Sequence, residues 1–358
     1  MRIGIPAEIM NQEGRVSASP QAVASLLHDG HTVLVQRGAG AHSSFTDADY
    51  EAAGAVLGTA EEAWACELVV KVKEPQPEEY RFLRRDLILF TYLHLAASPE
   101  LARALMEAGT TAIAYETVTD AMGGLPLLTP MSQVAGRLAV LAGAHHLQST
   151  QGGRGVLLSG IPGTPPGKVV VIGGGHVGAS AVAMAAGLRA EVTVLDISAR
   201  VLERFDDVYQ GRVRTVLSDP AALAAELADA DLVIGAVLVA GAKAPVLVSD
   251  AMVATMRPGS VLVDVAIDQG GCFESSRKTS YSDPTFTVGE TVFYCVPNMP
   301  GAVAHTSTRA LSAATSPYVR ATANLGVDGA IEQYPGLAGG INVRDGEIVN
   351  AAVARALG

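Results

Sequence analysis

An α/β protein of two domains is the fold this chain predicts, on three observations. Its 358 residues exceed one ordinary domain. Residues 1–130 alternate short β-branched runs with helical segments, the pattern of a mostly parallel sheet. Residues 168–196 hold a complete strand, glycine turn, helix and second strand.

That third stretch organises the rest. Val169 to Ile172 is an apolar run of strand length, followed by Gly173, Gly175 and Gly178 in the spacing G-x-G-x-x-G. Gly173 allows the tight turn, Gly175 lets the backbone approach a pyrophosphate, and Gly178 lets the helix pack on the strand. Ala179 to Leu188 reads as a buried helix whose N-terminus offers N–H groups to phosphates. Val192 to Leu195 is the second strand, ending on Asp196, 18 residues beyond Gly178. A carboxylate there accepts from a ribose 2′-OH and repels a 2′-phosphate, so a Rossmann unit binding NAD rather than NADP is expected.

From the N-terminus, Arg2 to Ile5 and Thr32 to Gln36 read as strands around a helix from Pro20 to Asp29. Asp47 to Ala53 and Ala60 to Cys66 read as short helices, and Leu68 to Val72 as a strand. Strands at Leu87 to Phe90 and Thr111 to Ala114 flank a helix from Pro99 to Ala108, with Ser98 as its N-cap and Gly109 as its stop. No glycine fingerprint opens this region, so it is read as the substrate domain. Pro126 and Pro130 bracket a break, and one long helix from Met131 to Ser149 is a connector. After the strands already given, Leu232 to Gly235, Val261 to Asp264 and Val292 to Cys295 complete the second sheet. His305 to Asn324 is mainly helical, with Pro317 expected to kink or split it, and can return the chain to the first domain.

Composition excludes other classes. The chain is 49% hydrophobic and 17% charged, enough apolar surface for buried cores. A net charge of −11 with no basic block argues against nucleic acid. Cys66, Cys272 and Cys295 have no metal or disulfide spacing and read as buried small hydrophobes in a reducing compartment; no metal is expected. The first residues lack a signal core, and the apolar stretch from Val169 to Leu188 suits a strand-turn-helix better than a membrane span. A soluble, cytoplasmic protein without a membrane partner is expected.

Several polar residues sit near strand ends, where open α/β sheets bind ligands. Arg15 either grips a carboxylate in bidentate fashion or is a solvated loop residue. Lys71 and Lys73 share one strand face, and spacing does not choose between them. His94, in a mainly apolar run, is a satisfied core residue or a general acid/base. Asp268, with Asp264 before it and paired glycines after it, suggests close ligand approach or a turn-capping acid. Asn298 carries the same turn alternative.

Taken together, these segments resemble the alanine dehydrogenase family from residue 1 to about 346. The resemblance is carried by 1–6 with Glu13 and Arg15, by 71–75, 93–97, 114–118, 131–137 and 152–157, by the glycine turn, and by 234–238, 241–245, 264–271 and 298–303, in the family's order. It implies two Rossmann-like domains, an NAD-binding domain at 131–304 inserted in a discontinuous substrate domain of 1–130 and 305–358. It implies oxidative deamination of L-alanine to pyruvate and ammonia, reversibly, with an amino acid or 2-oxo acid as the small-molecule substrate.

By position, Arg15 and Lys73 then bind substrate carboxylate and oxygen, and His94 and Asp268 are the catalytic acid/base pair. Beside Gly173, Gly175 and Gly178, the NAD contacts implied are Ser132, His176, Val177, Asp196, Ser218, Val237, Leu238, Val265, Ala266, Ile267, Asp268, Arg277, Val296, Asn298 and Met299. Members are often hexamers, so a homo-oligomer is implied. The chain departs from the family pattern at Met10, Gly14, Pro297, Ala313 and 343–345, which bear on substrate choice, cleft closure and oligomer contacts. Alternatives are a related NAD-dependent amino-acid dehydrogenase with another substrate, the NAD-binding part of a transhydrogenase, and a non-catalytic NAD-binding module.

Overall fold

The computed structural model describes residues 1–237 and 244–357. The chain forms two compact units, Met1–Met131 with Gly301–Gly358, and Ser132–Pro300, so the second is inserted in the sequence of the first. The divisions expected from sequence stood after residues 130 and 304.

The chain begins β1 (Arg2–Ile5), α1 (Pro20–His28), β2 (Thr32–Gln36), α2 (Asp47–Ala52), β3 (Val56–Gly58), α3 (Ala60–Trp64), β4 (Leu68–Val70), β5 (Ile88–Thr91), α4 (Pro99–Ala108) and β6 (Thr111–Ala114). It continues through α5 (Thr129–His146), β7 (Lys168–Ile172), α6 (His176–Gly187), β8 (Glu191–Asp196), α7 (Ala199–Tyr209), β9 (Val213–Leu217), α8 (Pro220–Leu227) and β10 (Leu232–Gly235). Then come α9 (Asp250–Val253), β11 (Val261–Asp264), β12 (Thr285–Val288) and β13 (Thr291–Tyr294). It closes with α10 (Ala304–Gln333), β14 (Ile341–Arg344), β15 (Glu347–Ile348) and α11 (Ala351–Leu357).

Local chemistry explains the short helices. Ser19 caps α1 through the Ala22 N–H, with Pro20 in the first turn. Thr46 with Asp49 and Thr59 with Glu62 form reciprocal capping boxes at α2 and α3. Each such cap is worth about 1 kcal/mol, which matters for helices of one or two turns.

In the first unit the strand order is β15-β14-β6-β5-β4-β1-β2-β3. β1 to β6 pair in parallel, and β14 joins β6 antiparallel. The order reverses at β1, with β2 and β3 on one side and β4 to β6 on the other. The second unit repeats this logic as β12-β13-β11-β10-β7-β8-β9, reversing at β7, with β12 antiparallel at the edge. All five residues of β7 are buried. Val169 and Val171 enter one core cluster, Val170 and Ile172 the other, so the period of two fills both faces of a covered parallel sheet. In both units the reversal point is where an open α/β sheet places its ligand crevice, beyond the carboxyl ends of the strands.

Four expectations need correction. Ser98 stands at the N-cap position of α4 as expected, its carbonyl accepting the Ala102 N–H at 3.1 Å, but its side chain makes no cap; its own N–H donates to the Leu95 carbonyl, and Pro99 opens the helix. Pro130 does not break the chain but sits in the first turn of α5, where its missing N–H has no helical partner to lose. That helix stops at His146, short of Ser149. Pro317 lies within α10 at helical backbone angles, while the break falls at Gly326, at φ 72° and ψ 178°. Proline's fixed φ is itself helical and removes one hydrogen bond, whereas Gly326 adopts a region essentially open to glycine alone. β3, β9, β12, β14 and β15 were not foreseen. The three cysteines are buried and free. Among the described residues no helix is long and apolar enough to cross a membrane.

Candidate active site

In the first unit, four neighbouring strands deliver the polar residues. β1 leads to Glu8, Glu13 and Arg15; β4 to Lys71 and Lys73; β5 to Tyr92 and His94; β6 to Tyr115 and Glu116. All follow carboxyl ends, those of β1 and β4 at the reversal point and those of β5 and β6 next in order along the sheet.

Arg15 is not a solvated loop residue: it is 3% exposed. Its Nε donates to Glu13 Oε1 at 2.7 Å, its Nη2 to Glu13 Oε2, and its Nη1 to Met131 Sδ at 3.1 Å. Burial weighs most against the guanidinium charge, but the fork to Glu13 more than offsets it, so Arg15 is held above the usual arginine pKa.

The two lysines separate cleanly. Lys71 is fully buried, with Nζ 2.8 Å from Glu79 Oε1 and 3.1 Å from Glu8 Oε2. Burial works to lower its pKa, but Glu8 and Glu79 together raise it above the ordinary value. Glu8 Oε1 also accepts the Val72 N–H at 2.6 Å, yet burial leaves that carboxyl above the usual range. Lys71 is thus a structural ion. Lys73 is half-buried, and among the described residues no acid pairs with its ammonium. Its carbonyl accepts from Thr91 Oγ1 at 2.8 Å, which ties the ends of β4 and β5.

His94 is exposed rather than a core residue, at φ 49° and ψ 35°. A side chain in this left-handed region costs about 1–2 kcal/mol. Glu116 supplies the restraint. Its Oε1 accepts the His94 N–H at 2.7 Å, and both its oxygens accept the Leu93 N–H, at 3.2 and 3.3 Å. Hydrogen bonds to a carboxylate are worth roughly 1.5–3 kcal/mol each, enough to hold the strained backbone. The His94 ring stacks on Tyr92, centroids 5.9 Å apart and planes 7° apart. Tyr92 donates its hydroxyl to the Leu127 carbonyl at 2.7 Å, and burial raises its pKa, so it stays a donor.

In the second unit the three glycines have three separate reasons. Gly173 has φ 97°. A Cβ on Gly178 would lie 1.8 Å from the Gly173 carbonyl oxygen, and one on Gly175 would meet nothing within 4 Å. The open space is therefore at the glycine that a pyrophosphate must approach. His176 and Val177 open α6 beside it, with His176 exposed. Asp196 Oδ2 accepts the Gly174 N–H at 2.7 Å and Oδ1 the Ser198 N–H at 2.8 Å. Each oxygen keeps a lone pair for a ribose hydroxyl. Val237 flanks the turn, its Cγ2 3.3 Å from a Cβ built on Gly173, and the Ser218 N–H donates to the Asp196 carbonyl at 2.9 Å. These residues fit a dinucleotide.

Of the two carboxylates at the end of β11 and in the turn after it, Asp264 does the capping. It is buried and accepts from the Ala266 and Cys272 N–H groups at 3.0 and 2.9 Å and from Ser276 Oγ. Burial still raises its pKa. Asp268 stays exposed on the turn Val265–Gln269, its Oδ2 accepting the Asn298 N–H at 3.3 Å. Asn298 has a left-handed φ of 51°. The side chains of Ala266, Ile267, Val296 and Met299 are buried, so these four can offer a ligand mainly backbone, while Val265 is half-buried. Ser132 is half-buried on α5, and Gly136 of that helix packs against the Val177 carbonyl. Arg277 is exposed, its guanidinium 4.2 Å from the Phe286 ring centre. Leu238 lies outside the described residues. Burial pushes the Cys272 thiol well up and Cys295 to about 12, so neither is a thiolate nucleophile. Among the described residues no His, Cys, Asp or Glu group is arranged to hold a metal.

Sequence reasoning did not single out Glu116, Glu8 or Glu79 as site residues. For Glu116 a signal existed: it stands just beyond a strand end, where the other polar candidates were sought.

Two family models match, "Alanine dehydrogenase/PNT, N-terminal domain" over residues 4–135 and "Alanine dehydrogenase/PNT, C-terminal domain" over residues 139–351. The alanine dehydrogenase of Mycobacterium tuberculosis (strain ATCC 25618 / H37Rv) is 55% identical over 360 residues, spanning 100% of this chain and 97% of that protein. A solved L-alanine dehydrogenase structure is similar with a TM-score of 0.96 and 51% identity, over 99% of each chain. A transhydrogenase structure from Sinorhizobium meliloti is similar at a TM-score of 0.84 and 25% identity, over 98% of this chain and 100% of that one.

Proposed function

Because the chain belongs to the alanine dehydrogenase/PNT family, we propose that it catalyses the reversible, NAD-dependent oxidative deamination of L-alanine to pyruvate and ammonia. The observation that carries this beyond nucleotide binding is the strand-end set of the first unit. A module that only holds NAD needs a phosphate cradle; it has no use for an exposed imidazole held in a strained conformation on the strand end next to that of Lys73, with the strand that leads to Arg15 one further on.

In this reading Met1–Met131 with Gly301–Gly358 binds substrate and Ser132–Pro300 binds NAD. Arg15 grips the alanine carboxylate, and Lys73 holds the oxygen that becomes the pyruvate carbonyl. NAD, when bound, takes up the Cα hydride. His94, with Asp268, accepts a proton from the water that adds to the imine carbon and returns it as ammonia leaves. Asp196 takes the adenosine ribose hydroxyls, and the Gly173–Gly178 turn takes the pyrophosphate. The remaining NAD contacts are the positions inferred from sequence. The protein acts in the cytoplasm as a homo-oligomer, a hexamer by resemblance.

The test is NADH formation from NAD with a panel of L-amino acids at mildly alkaline pH. Turnover strongest on L-alanine is the expected result. Turnover on a different amino acid alone would reassign the substrate, and silence across the panel with NADH still bound would leave a binding module.

A further inference from the structure

We propose that Glu116 is the positioning residue of His94, holding its backbone and balancing the charge its ring acquires in turnover. The inference rests on the deamination reading for its kinetic part, but its structural part stands alone.

Three observations converge. Glu116 follows β6, the strand next to β5, so the sheet itself carries its carboxylate to the segment that bears His94. It accepts two consecutive N–H groups, those of Leu93 and His94, and so fixes the left-handed turn at φ 49° from which the imidazole projects. Its Oε1 also lies 4.0 Å from His94 Nδ1, too far for a hydrogen bond and near enough for an ion pair. Its side chain is 14% exposed against 47% for the imidazole, so the carboxylate sits at the inner side of a ring that is open to solvent. Tyr92 limits the ring's tilt by stacking on it.

The chemistry asks for such a partner. As water adds to the imine, its oxygen forms a bond to carbon, the C=N electron pair moves to nitrogen, and one O–H proton passes to His94. The ring becomes an imidazolium at that moment. A fixed carboxylate at ion-pair distance favours that state and costs no rearrangement.

Two variants separate the two tasks. In Glu116→Gln an amide oxygen can still accept the two N–H groups, but the charge is gone; Glu116→Ala removes both. Hydrogen exchange of the peptide covering residues 88–98 reads the backbone task. Steady-state kinetics with L-alanine, alongside NADH-binding stoichiometry, read the charge task. Glu116→Ala is expected to speed exchange at Leu93 and His94 and to lower kcat about a hundredfold, with the alanine KM within about threefold. Glu116→Gln is expected to regain slow exchange while kcat stays about tenfold low. Unchanged exchange in Glu116→Ala overturns the backbone task, and full kcat in Glu116→Gln overturns the charge task. A kcat loss matched by an equal loss of NADH-binding sites marks a folding role and overturns the proposal. A parent protein silent on every amino acid overturns the deamination reading, while the exchange comparison still decides whether Glu116 holds His94.

Discussion

Asp196 Oδ2 accepts the Gly174 N–H at 2.7 Å, so the carboxylate proposed to take the ribose hydroxyls also closes the glycine turn. Asp196→Ala removes the acceptor for a 2′-OH and the charge that repels a 2′-phosphate. The ratio of kcat/KM with NAD to that with NADP is expected to fall about tenfold or more. Weaker NADH binding should accompany it, because the turn loses its anchor. An unchanged cofactor ratio would take Asp196 out of ribose recognition.

Gly175 and Gly178 are three residues apart and should answer the same substitution in opposite ways. Gly178→Ala places a methyl 1.8 Å from a backbone oxygen, which cannot swing aside as a side chain can. Overpacking of this kind costs about 1–3 kcal/mol or more, so the melting temperature should drop. Gly175 has a negative φ of −67° and open space above it. Gly175→Ala should therefore melt as the parent does and bind NADH about tenfold more weakly, because the methyl occupies the phosphate approach. Equal stability losses in both variants would contradict the division.

Lys71 and Lys73 make a second such pair. Lys71→Met leaves Glu8 and Glu79 as buried carboxylates without their cation. Removing one partner of a buried ion pair costs about 3–5 kcal/mol. The loss should shrink as pH falls, since protonation removes the unpaired charge and Glu8 already sits above the usual carboxyl range. Lys73→Met should change denaturant stability by less than about 0.5 kcal/mol and abolish turnover. Urea titrations of the two variants at two pH values decide the matter.

These lysines also show where sequence stops informing. Alternation put both on one strand face, but β4 ends at Val70, so the period of two no longer applies where it was needed. The most legible of the foreseen strands are β-branched runs buried on both faces, such as β7 and β11. β9 escaped notice because it is an edge strand whose Arg214 and Thr215 dilute the apolar pattern. The glycine turn was legible because its reasons are local. Glu116 carried only its place beyond a strand end, because what makes it matter is His94, 22 residues away in sequence and brought within hydrogen-bond reach by the pairing of β5 with β6. Pro317 misled for a related reason: residue type announces a possible break, but the break occurs where the backbone takes a non-helical angle, at Gly326.

Asp29, just past the end of α1, receives the fork of Arg320 on α10, Nε to Oδ2 at 2.6 Å and Nη2 to Oδ1 at 2.8 Å, with Asn324 Nδ2 at 3.3 Å. Those bonds from Arg320, aided by Asn324, pull the Asp29 pKa down to about 2. An unfolded aspartate titrates near about 3.9. The folded state thus holds the charged form more firmly, and the pair contributes its full stability above about pH 4, losing it as pH falls through about 2. Asp29→Asn should lower the melting temperature near neutral pH, and the gap to the parent should close between about pH 4 and 2. Melts followed by circular dichroism across that range measure it. A gap that persists unchanged at the acid end would mean that the fork holds α1 to α10 by packing and neutral hydrogen bonds rather than by charge.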